Sequence, residues 1–411
     1  MEYIKLKNAC SKIGSGSTPK GGASVYIDKG TSLIRSQNVY NLKFSYKGLA
    51  HINEDAAHKL RGVTIKKNDI LINITGDSVA RTCVVPDDVI PARVNQHVAI
   101  IRPNNSILNP FYLNYFLASP FMQATMLNYA VGKGSSRNAM TKEMIGNYLV
   151  PQPSIDIQNK IVKILKKFDN LIENNNKRIK LLEQMAENLY KEWFVRFRFP
   201  GYENVTFENG IPKEWKKVKL DDVLNKIATG LNPRKNFVLG EGENFYVTIK
   251  NMADNTVYLD DKCDKVNDDA IIKINKRSDL KTGDLLFSGI GTIGRVCLID
   301  IPTDNWNISE SVFTMRANQK ISSKFLYMLL LSQDVQNYCQ SRANGSAQKG
   351  IRMGDLRKYT FLLPTKNIIT NFTDQISPIL RNVSLLRNEN KNLIQQRDML
   401  LPRLMSGKLE V

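Results

Sequence analysis

Two stretches of this chain place apolar residues at alternating intervals of three and four. The first runs through Ile161, Leu165, Phe168, Ile172, Asn175, Ile179, Leu182, Ala186, Leu189 and Trp193; the second runs through Ile376, Ile379, Val383, Leu386, Asn390, Leu393, Arg397, Leu400 and Leu404. Held over about four heptads, this spacing predicts coiled-coil helices rather than lone surface helices. Asp156 and Ser377 are the expected N-caps, with Pro378 in a first-turn position. Asn175 lies midway between Ile161 and Leu189, and Asn390 midway between Ile376 and Leu404. Antiparallel pairing would bring the two midpoints together. Two amides in an apolar seam cost stability unless they bond each other, and then they fix register. The pattern therefore predicts a contact between Asn175 and Asn390, which parallel helices would exclude. Roughly 40 helical residues would span about 60 Å.

The rest of the chain alternates short β-like runs with Gly, Asn and Pro turns, and it does so twice. The first copy has runs at Leu33-Ile34, Asp69 to Ile74, Thr82 to Val85 and His97 to Ile101, then a helical stretch from Pro110 to Tyr129. The second has Phe245 to Ile249, Asp284 to Phe287, Arg295 to Ile299, Val312 to Met315 and a helical stretch from Ser323 to Arg342. Leu6, Ile13, Gly16 and Pro19-Lys20 return 214 residues later as Leu220, Ile227, Gly230 and Pro233-Arg234. Val98, Arg102 and Asn104 return at the same offset as Val312, Arg316 and Asn318. Asp69 to Ile72 and Arg81 to Cys83 return as Asp284 to Phe287 and Arg295 to Cys297, with one residue lost between them. Each copy closes with a glycine-serine loop, Gly132 to Asn138 or Asn344 to Gly350, and a proline exit at Pro151-Gln-Pro153 or Pro364.

The expected fold class is mixed α/β. Two similar globular domains, mostly antiparallel sheet plus helices, are joined by a long antiparallel two-helix coiled coil with internal pseudo-twofold symmetry. The expected boundaries are residues 1–152, a helix over 153–199, residues 200–366, and a helix with tail over 367–411. A body with two like heads suits a ligand that comes in halves, as duplex DNA does.

Charge sharpens that expectation. The 411 residues carry 58 Lys and Arg against 39 Asp and Glu, a net +19, which predicts a polyanionic partner. Between Val89 and Lys142 there is no acidic residue, while Arg93, Arg102, Lys133, Arg137 and Lys142 are present, as on a phosphate-facing surface. The five cysteines, Cys10, Cys83, Cys263, Cys297 and Cys339, are scattered and predict buried, reduced thiols. With no apolar segment of membrane length and no leader-like start, a cytoplasmic location is expected.

No motif supplies chemistry. Gly289-Ile-Gly-Thr-Ile-Gly294 fits the dinucleotide pattern, but a strand follows it where a helix is needed, so a hairpin turn is expected. Asn109-Pro-Phe-Tyr112 reads as a helix cap rather than a methyltransferase motif, and Pro86-Asp87 lacks the further carboxylates of a nuclease core. His51, His58 and His97 have no spacing suited to metal or to a nucleophile–base pair.

Three segments carry a family resemblance. They are Leu189-Tyr-Lys-Glu-Trp-Phe194 with Phe197-Arg-Phe-Pro200, Gln396-Arg-Asp-Met-Leu-Leu-Pro-Arg-Leu-Met-Ser-Gly407, and Gly345-Ser-Ala-Gln-Lys-Gly350 followed by Asp355-Leu356. With two globular units each followed by a long helix, the whole chain resembles the specificity subunit of Type I restriction-modification systems. The first copy departs at its loop, which reads Gly134-Ser-Ser-Arg-Asn138.

The resemblance implies a non-catalytic subunit. Each target recognition domain would read one half of a split double-stranded DNA sequence, and the helices would set the gap. The partners implied are two methyltransferase subunits and the motor-nuclease subunits, which would hold S-adenosylmethionine, ATP and Mg²⁺; this chain would bind no cofactor or metal. Lys and Arg would neutralise phosphates, while Arg, Gln, Asn and Ser on loops would read base edges. The candidates are Lys20, Arg35, Gln37, Asn38, Arg81, Lys133, Ser135 and Arg137, then Arg234, Lys235, Lys250, Asn251, Arg295, Ser346, Gln348 and Lys349. Arg81 and Arg295 fit a structural role in a hairpin equally well. Two other readings remain open: a self-sufficient methyltransferase or nuclease with fused recognition domains, and a basic protein-interaction scaffold.

Overall fold

The central strands of the main sheets bury both faces, and the alternation of their side chains feeds two different cores. In the computed structural model, which describes residues 2–130 (Ala23 by its backbone alone), 139–345 and 349–409, the chain forms two units. One comprises Met1–Asn176 with Asn388–Val411, the other Lys177–Arg387.

The first unit is built on an antiparallel sheet in the order Cys10–Ser15, Val98–Pro103, Ile70–Asn73, Thr82–Val84. Ile70, Ile72 and Ile101 point to a core shared with Tyr112, Leu113, Leu117, Ile161, Leu165, Leu401 and Leu404. Leu71, Cys83 and Ile100 point the other way, against Ile34, Val39 and Val94. A second sheet runs Ala92–Val94, Thr31–Ile34, Ala50–Ile52, Tyr26–Ile27, with its first two strands parallel. Tyr3–Lys5 pairs with Leu149–Pro151 where the unit passes into its long helix.

The second unit repeats the main sheet strand for strand and, among the described residues, the second sheet with one strand fewer. Its main sheet runs Leu224–Thr229, Val312–Ala317, Leu285–Ser288, Val296–Leu298, and Lys216–Lys219 pairs with Thr360–Leu363. In its second sheet Trp306–Ile308 again lies parallel to Asn244–Val247, with Asp264–Val266 beyond. Leu285 and Phe287 face the helical core, and Leu286 faces Trp306 and Val247. A counterpart to the Tyr26–Ile27 strand is missing among the described residues, while the short helix Glu54–Lys59 is matched by the longer Asp268–Ser278. The expected class is thus found, mostly antiparallel with one parallel pair per unit.

The expected helix over Pro110 to Tyr129 is two helices, Pro110–Ala118 and Pro120–Ala130. Its counterpart over Ser323 to Arg342 is likewise two, Ser323–Leu331 and Gln333–Arg342. The joints, Ser119 and Ser332, are extended and return their hydroxyls to the carbonyls of Phe116 and Leu329. Pro120 enforces the first break, since the residue before proline avoids the helical region.

The long helices are Ile155–Tyr190 and Lys366–Met405. Ser154, not Asp156, caps the first, its Oγ accepting from the Ile157 N–H. Ser377 and Pro378 lie inside the second helix rather than at its start. Burial of Ile376 and Ile379 holds that turn against the roughly 3 kcal/mol an interior proline costs. Within the first unit the helices run antiparallel, with Asp169 meeting Arg397 and Asn175 meeting Asn390. Within the second unit they also run antiparallel: Ile179 packs with Val383 and Leu386, Glu183 pairs with Arg387, and Tyr190 and Trp193 pack on Phe372.

Candidate nucleic-acid interface

One end of each unit gathers the loops that carry the candidate residues, and two glycines explain how. A Cβ on Gly16 would stand 2.2 Å from the Val94 carbonyl oxygen, and one on Gly230 would stand 1.6 Å from that of Ile308. Glycine alone lets the chain leave the main sheet so close to the second, so the loops bearing Lys20 and Arg234 start beside the second sheet's edge. In the first unit Thr75 then bridges to Ala139, and its hydroxyl meets His97 Nδ1 at 2.6 Å, which ties the hairpin turn to the residue following the glycine-serine loop in sequence. In the second unit Ile290 bridges to Gly350, and the Gly291 N–H donates to the Lys349 carbonyl. Gly289 to Gly294 is the expected hairpin turn, between antiparallel Leu285–Ser288 and Val296–Leu298.

Lys20, Gln37, Arg234, Lys235, Lys250 and Lys349 are exposed. Arg35 is half-buried, donating to the Gly48 carbonyl at 2.6 Å and lying over the Tyr26 ring. Gln37 Nε2 donates to the same carbonyl at 3.1 Å. Asn38 and Asn251 do not fit a reading role, because both are buried and spent. Asn38 accepts from the Arg35 N–H and donates to the Ser45 carbonyl; Asn251 accepts from the Thr248 N–H and hydroxyl. They brace the turns that display Gln37 and Lys250. Arg81 lies over the exposed Tyr40 ring, whereas Arg295 donates to two backbone carbonyls, Ile249 and Met252. Lys133, Ser135, Arg137, Ser346 and Gln348 lie outside the described residues.

The acid-free stretch is less of a phosphate surface than its composition suggests. Arg93 donates to the carbonyls of Ala57 and Ala92. Arg102 forms a two-pronged pair with buried Asp69, at 2.7 Å on each oxygen. Arg316 does the same with buried Asp284, at 2.7 and 2.8 Å. This twin pair was visible in the sequence as repeated Asp and Arg positions, but nothing there joined the two. Gln123 and Gln336 were missed altogether. Each donates to the carbonyl closing the hairpin turn, Ala80 or Gly294, and to the end of the preceding helix, Leu117 or Leu330.

Asn175 Nδ2 donates to Asn390 Oδ1 at 3.1 Å, and Asn390 Nδ2 donates to Asn176 Oδ1 at 3.0 Å. The seam thus carries its own polar network at the position where the heptad midpoints coincide.

The thiols are inert by environment: burial pushes Cys10, Cys83, Cys297 and Cys339 up to about 12. No cluster of three or more metal-binding side chains occurs among the described residues, and no described helix is long and apolar enough to cross a membrane.

The sequence pattern of the Type I restriction modification DNA specificity domain matches this chain twice, over residues 1–184 and 212–396. The MjaIX specificity subunit of Methanocaldococcus jannaschii is 23% identical, the match covering 99% of this chain and 93% of that protein. The HindI specificity subunit of Haemophilus influenzae is also 23% identical, with 92% and 94% covered. The crystal structure of the Type I restriction-modification S subunit from M. genitalium shares the fold at a TM-score of 0.54 and 13% identity, over 98% of this chain and 95% of that one. A doubled recognition fold matched twice by one domain pattern, along nearly its whole length, places the chain in the family of Type I restriction-modification DNA specificity subunits.

Proposed function

We propose that this chain is the sequence-reading subunit of a Type I restriction-modification complex, binding a split double-stranded DNA target with one half-site per unit. The observation that carries this reading is the duplication itself: the same sheet order, the same glycine-gated loop and the same braced turn occur once in each unit. Lys20, Arg35, Gln37 and Arg81, with Lys133, Ser135 and Arg137, are the contacts proposed for the first half-site. Arg234, Lys235, Lys250 and Lys349, with Ser346 and Gln348, are those for the second. Residues 1–152 and 200–366 act as the recognition domains, and the helices over 153–199 and 367–411 as the spacer, its register held by Asn175 and Asn390.

Two methyltransferase subunits and motor-nuclease subunits complete the complex in the cytoplasm. S-adenosylmethionine, ATP and Mg²⁺ belong to those partners, so this chain positions chemistry that it does not perform.

Mapping DNA methylation in a host with and without this subunit tests the reading. A two-part motif with a constant gap that vanishes with the subunit is the expected result. Methylation or cleavage by the purified chain alone would overturn it in favour of a self-sufficient enzyme. Absence of sequence preference in a selection from random duplexes would favour a scaffold.

A further inference from the structure

Two backbone carbonyls at matching places in the two units are satisfied by different side chains. In the first unit Asn73 Nδ2 donates to the carbonyls of Ser36 and Val39, at 2.9 and 3.4 Å. In the second, Arg295 Nη1 donates to those of Ile249 and Met252, at 2.9 and 2.5 Å. The backbone fixes the correspondence. Asn73 N–H donates to the Arg81 carbonyl at 2.9 Å, and Ser288 N–H donates to the Arg295 carbonyl at 2.9 Å. Asn73 pairs with Val98 as Ser288 pairs with Val312. Asn73 therefore stands where the second unit has Ser288, and Arg81 where it has Arg295. The small hairpins align in the same way, Tyr40 opposite Lys43 and Ala253 opposite Thr256, so Tyr40 stands where the second unit has Ala253.

Three differences thus change together. A buried carbonyl needs a donor. In the first unit Asn73 reaches it from the strand, and the arginine is released. Arg81 lies with its guanidinium carbon 4.8 Å from the centre of the exposed Tyr40 ring, and its side chain makes no hydrogen bond or ion pair among the described residues. In the second unit Ser288 is too short. Its hydroxyl turns to the Thr292 carbonyl and accepts the Arg295 N–H, and the arginine goes inward to do the work of the amide. Ala253 offers no ring on which an outward guanidinium could rest. A guanidinium stacked on an aromatic face keeps its fork of donors preorganised, the geometry suited to a phosphate or a guanine edge.

We propose that Arg81 is a DNA contact of the first unit, while Arg295, the same residue of the repeat, is a positioning residue that holds the Ile249–Asn251 turn presenting Lys250; Asn73 against Ser288 and Tyr40 against Ala253 set the division. The DNA half of this proposal rests on the function proposed above, and the exchange of donors stands on its own.

Two measurements on the full chain separate the halves. In thermal unfolding, Arg295→Ala lowers the midpoint of the second unit by about 3–8 °C, and adding Ser288→Asn restores most of it. Arg81→Ala leaves the midpoint unchanged, but becomes destabilising once Asn73→Ser is present. In binding to a mixed-sequence duplex of about 40 base pairs at about 50 mM salt, Arg81→Ala weakens affinity about five- to tenfold. Failure of Ser288→Asn to rescue Arg295→Ala, or equal destabilisation by both arginine substitutions, overturns the exchange. Undiminished DNA binding by Arg81→Ala overturns its assignment as a contact. A wild-type chain that binds no duplex removes the functional reading itself, and the unfolding data still judge the exchange.

Discussion

The two units differ least where they are buried and most where the same backbone meets solvent. Asp69–Arg102 and Asp284–Arg316 are superimposable in chemistry, a carboxylate without exposure held on both oxygens by one guanidinium at the end of a central strand. The strand carrying each arginine also lines the helical core, so a change there disturbs sheet and helices together. Arg81 and Arg295, by contrast, occupy one position and do different things, because a neighbour one strand away decides whether the fold needs them. A duplicated head can therefore keep its frame while its display surface diverges, provided the frame's hydrogen bonds are met by some residue.

The largest effect tests the shared frame. Asp69→Ala strands a half-buried arginine and is expected to cost about 3–5 kcal/mol, while Asp284→Ala leaves Arg316 its Asp279 contact and is expected to cost somewhat less. Urea unfolding followed by probes in each unit should show loss confined to the substituted one. A larger loss for Asp284→Ala than for Asp69→Ala would break the claim that the frames are the same. Gly16→Ala and Gly230→Ala drive a methyl into backbone oxygen, so they cannot be absorbed by a rotamer change. A loss of more than about 2 kcal/mol is expected for each, with Gly230→Ala the worse because its clash is the closer.

Smaller effects sharpen the contrast between the helix seams. The first unit's seam holds Asn175 against Asn390, while the second's nearest layer is Ile179, Val383 and Leu386. Asn175→Leu leaves the Asn390 amide with one partner fewer and should cost about 1–3 kcal/mol. Replacing both asparagines by leucine should recover stability, but loosen the register, which cross-linking of cysteine pairs placed along the seam would report.

The smallest effect is one of acid. Arg316 has a second carboxylate that Arg102 lacks: its Nη1 reaches Asp279 Oδ2 at 3.1 Å, whereas the Nη2 of each arginine donates to a backbone carbonyl, that of Asp279 or of Thr64. The hydrogen bond from Arg316 holds the Asp279 carboxyl below its ordinary value of 3.8, with Lys226 and Lys281 adding to it. A lowered folded value means stability that is present above the unfolded value and lost as pH falls through the folded one. Asp279→Asn should therefore flatten the acid limb of the second unit's stability below about pH 4 and leave neutral pH nearly unchanged.

The helix heptads, the repeat and the asparagine pair were legible because each is a periodicity, and period is what a one-dimensional chain displays directly. Sheet membership was legible on another ground, short β-like runs bounded by turn residues, as at Ile70 to Asn73 and Leu285 to Ser288. The helix break at Ser332 was not legible as a break, because a serine that returns its hydroxyl to the backbone looks like any polar residue, whereas Pro120 did mark the break at Ser119. Pro378 misled in the opposite sense: its local preference for a helix start lost to the burial of Ile376 and Ile379 on either side.

Among the candidate contacts, residue type alone could not separate Gln37 from Asn38 or Arg81 from Arg295. In each pair both members have the donors to read a base. Which one faces outward depends on whether a backbone carbonyl brought close by the fold needs that donor: Asn38 is taken by Ser45 in the neighbouring turn, and Arg295 by Ile249 and Met252 from a separate segment of the chain. Amphipathic period and internal duplication are properties of order along the chain, so reading the chain was enough to find them. The assignment of polar side chains to the frame or to the display surface is a competition among groups far apart in the chain, settled only when folding brings them within hydrogen-bonding distance.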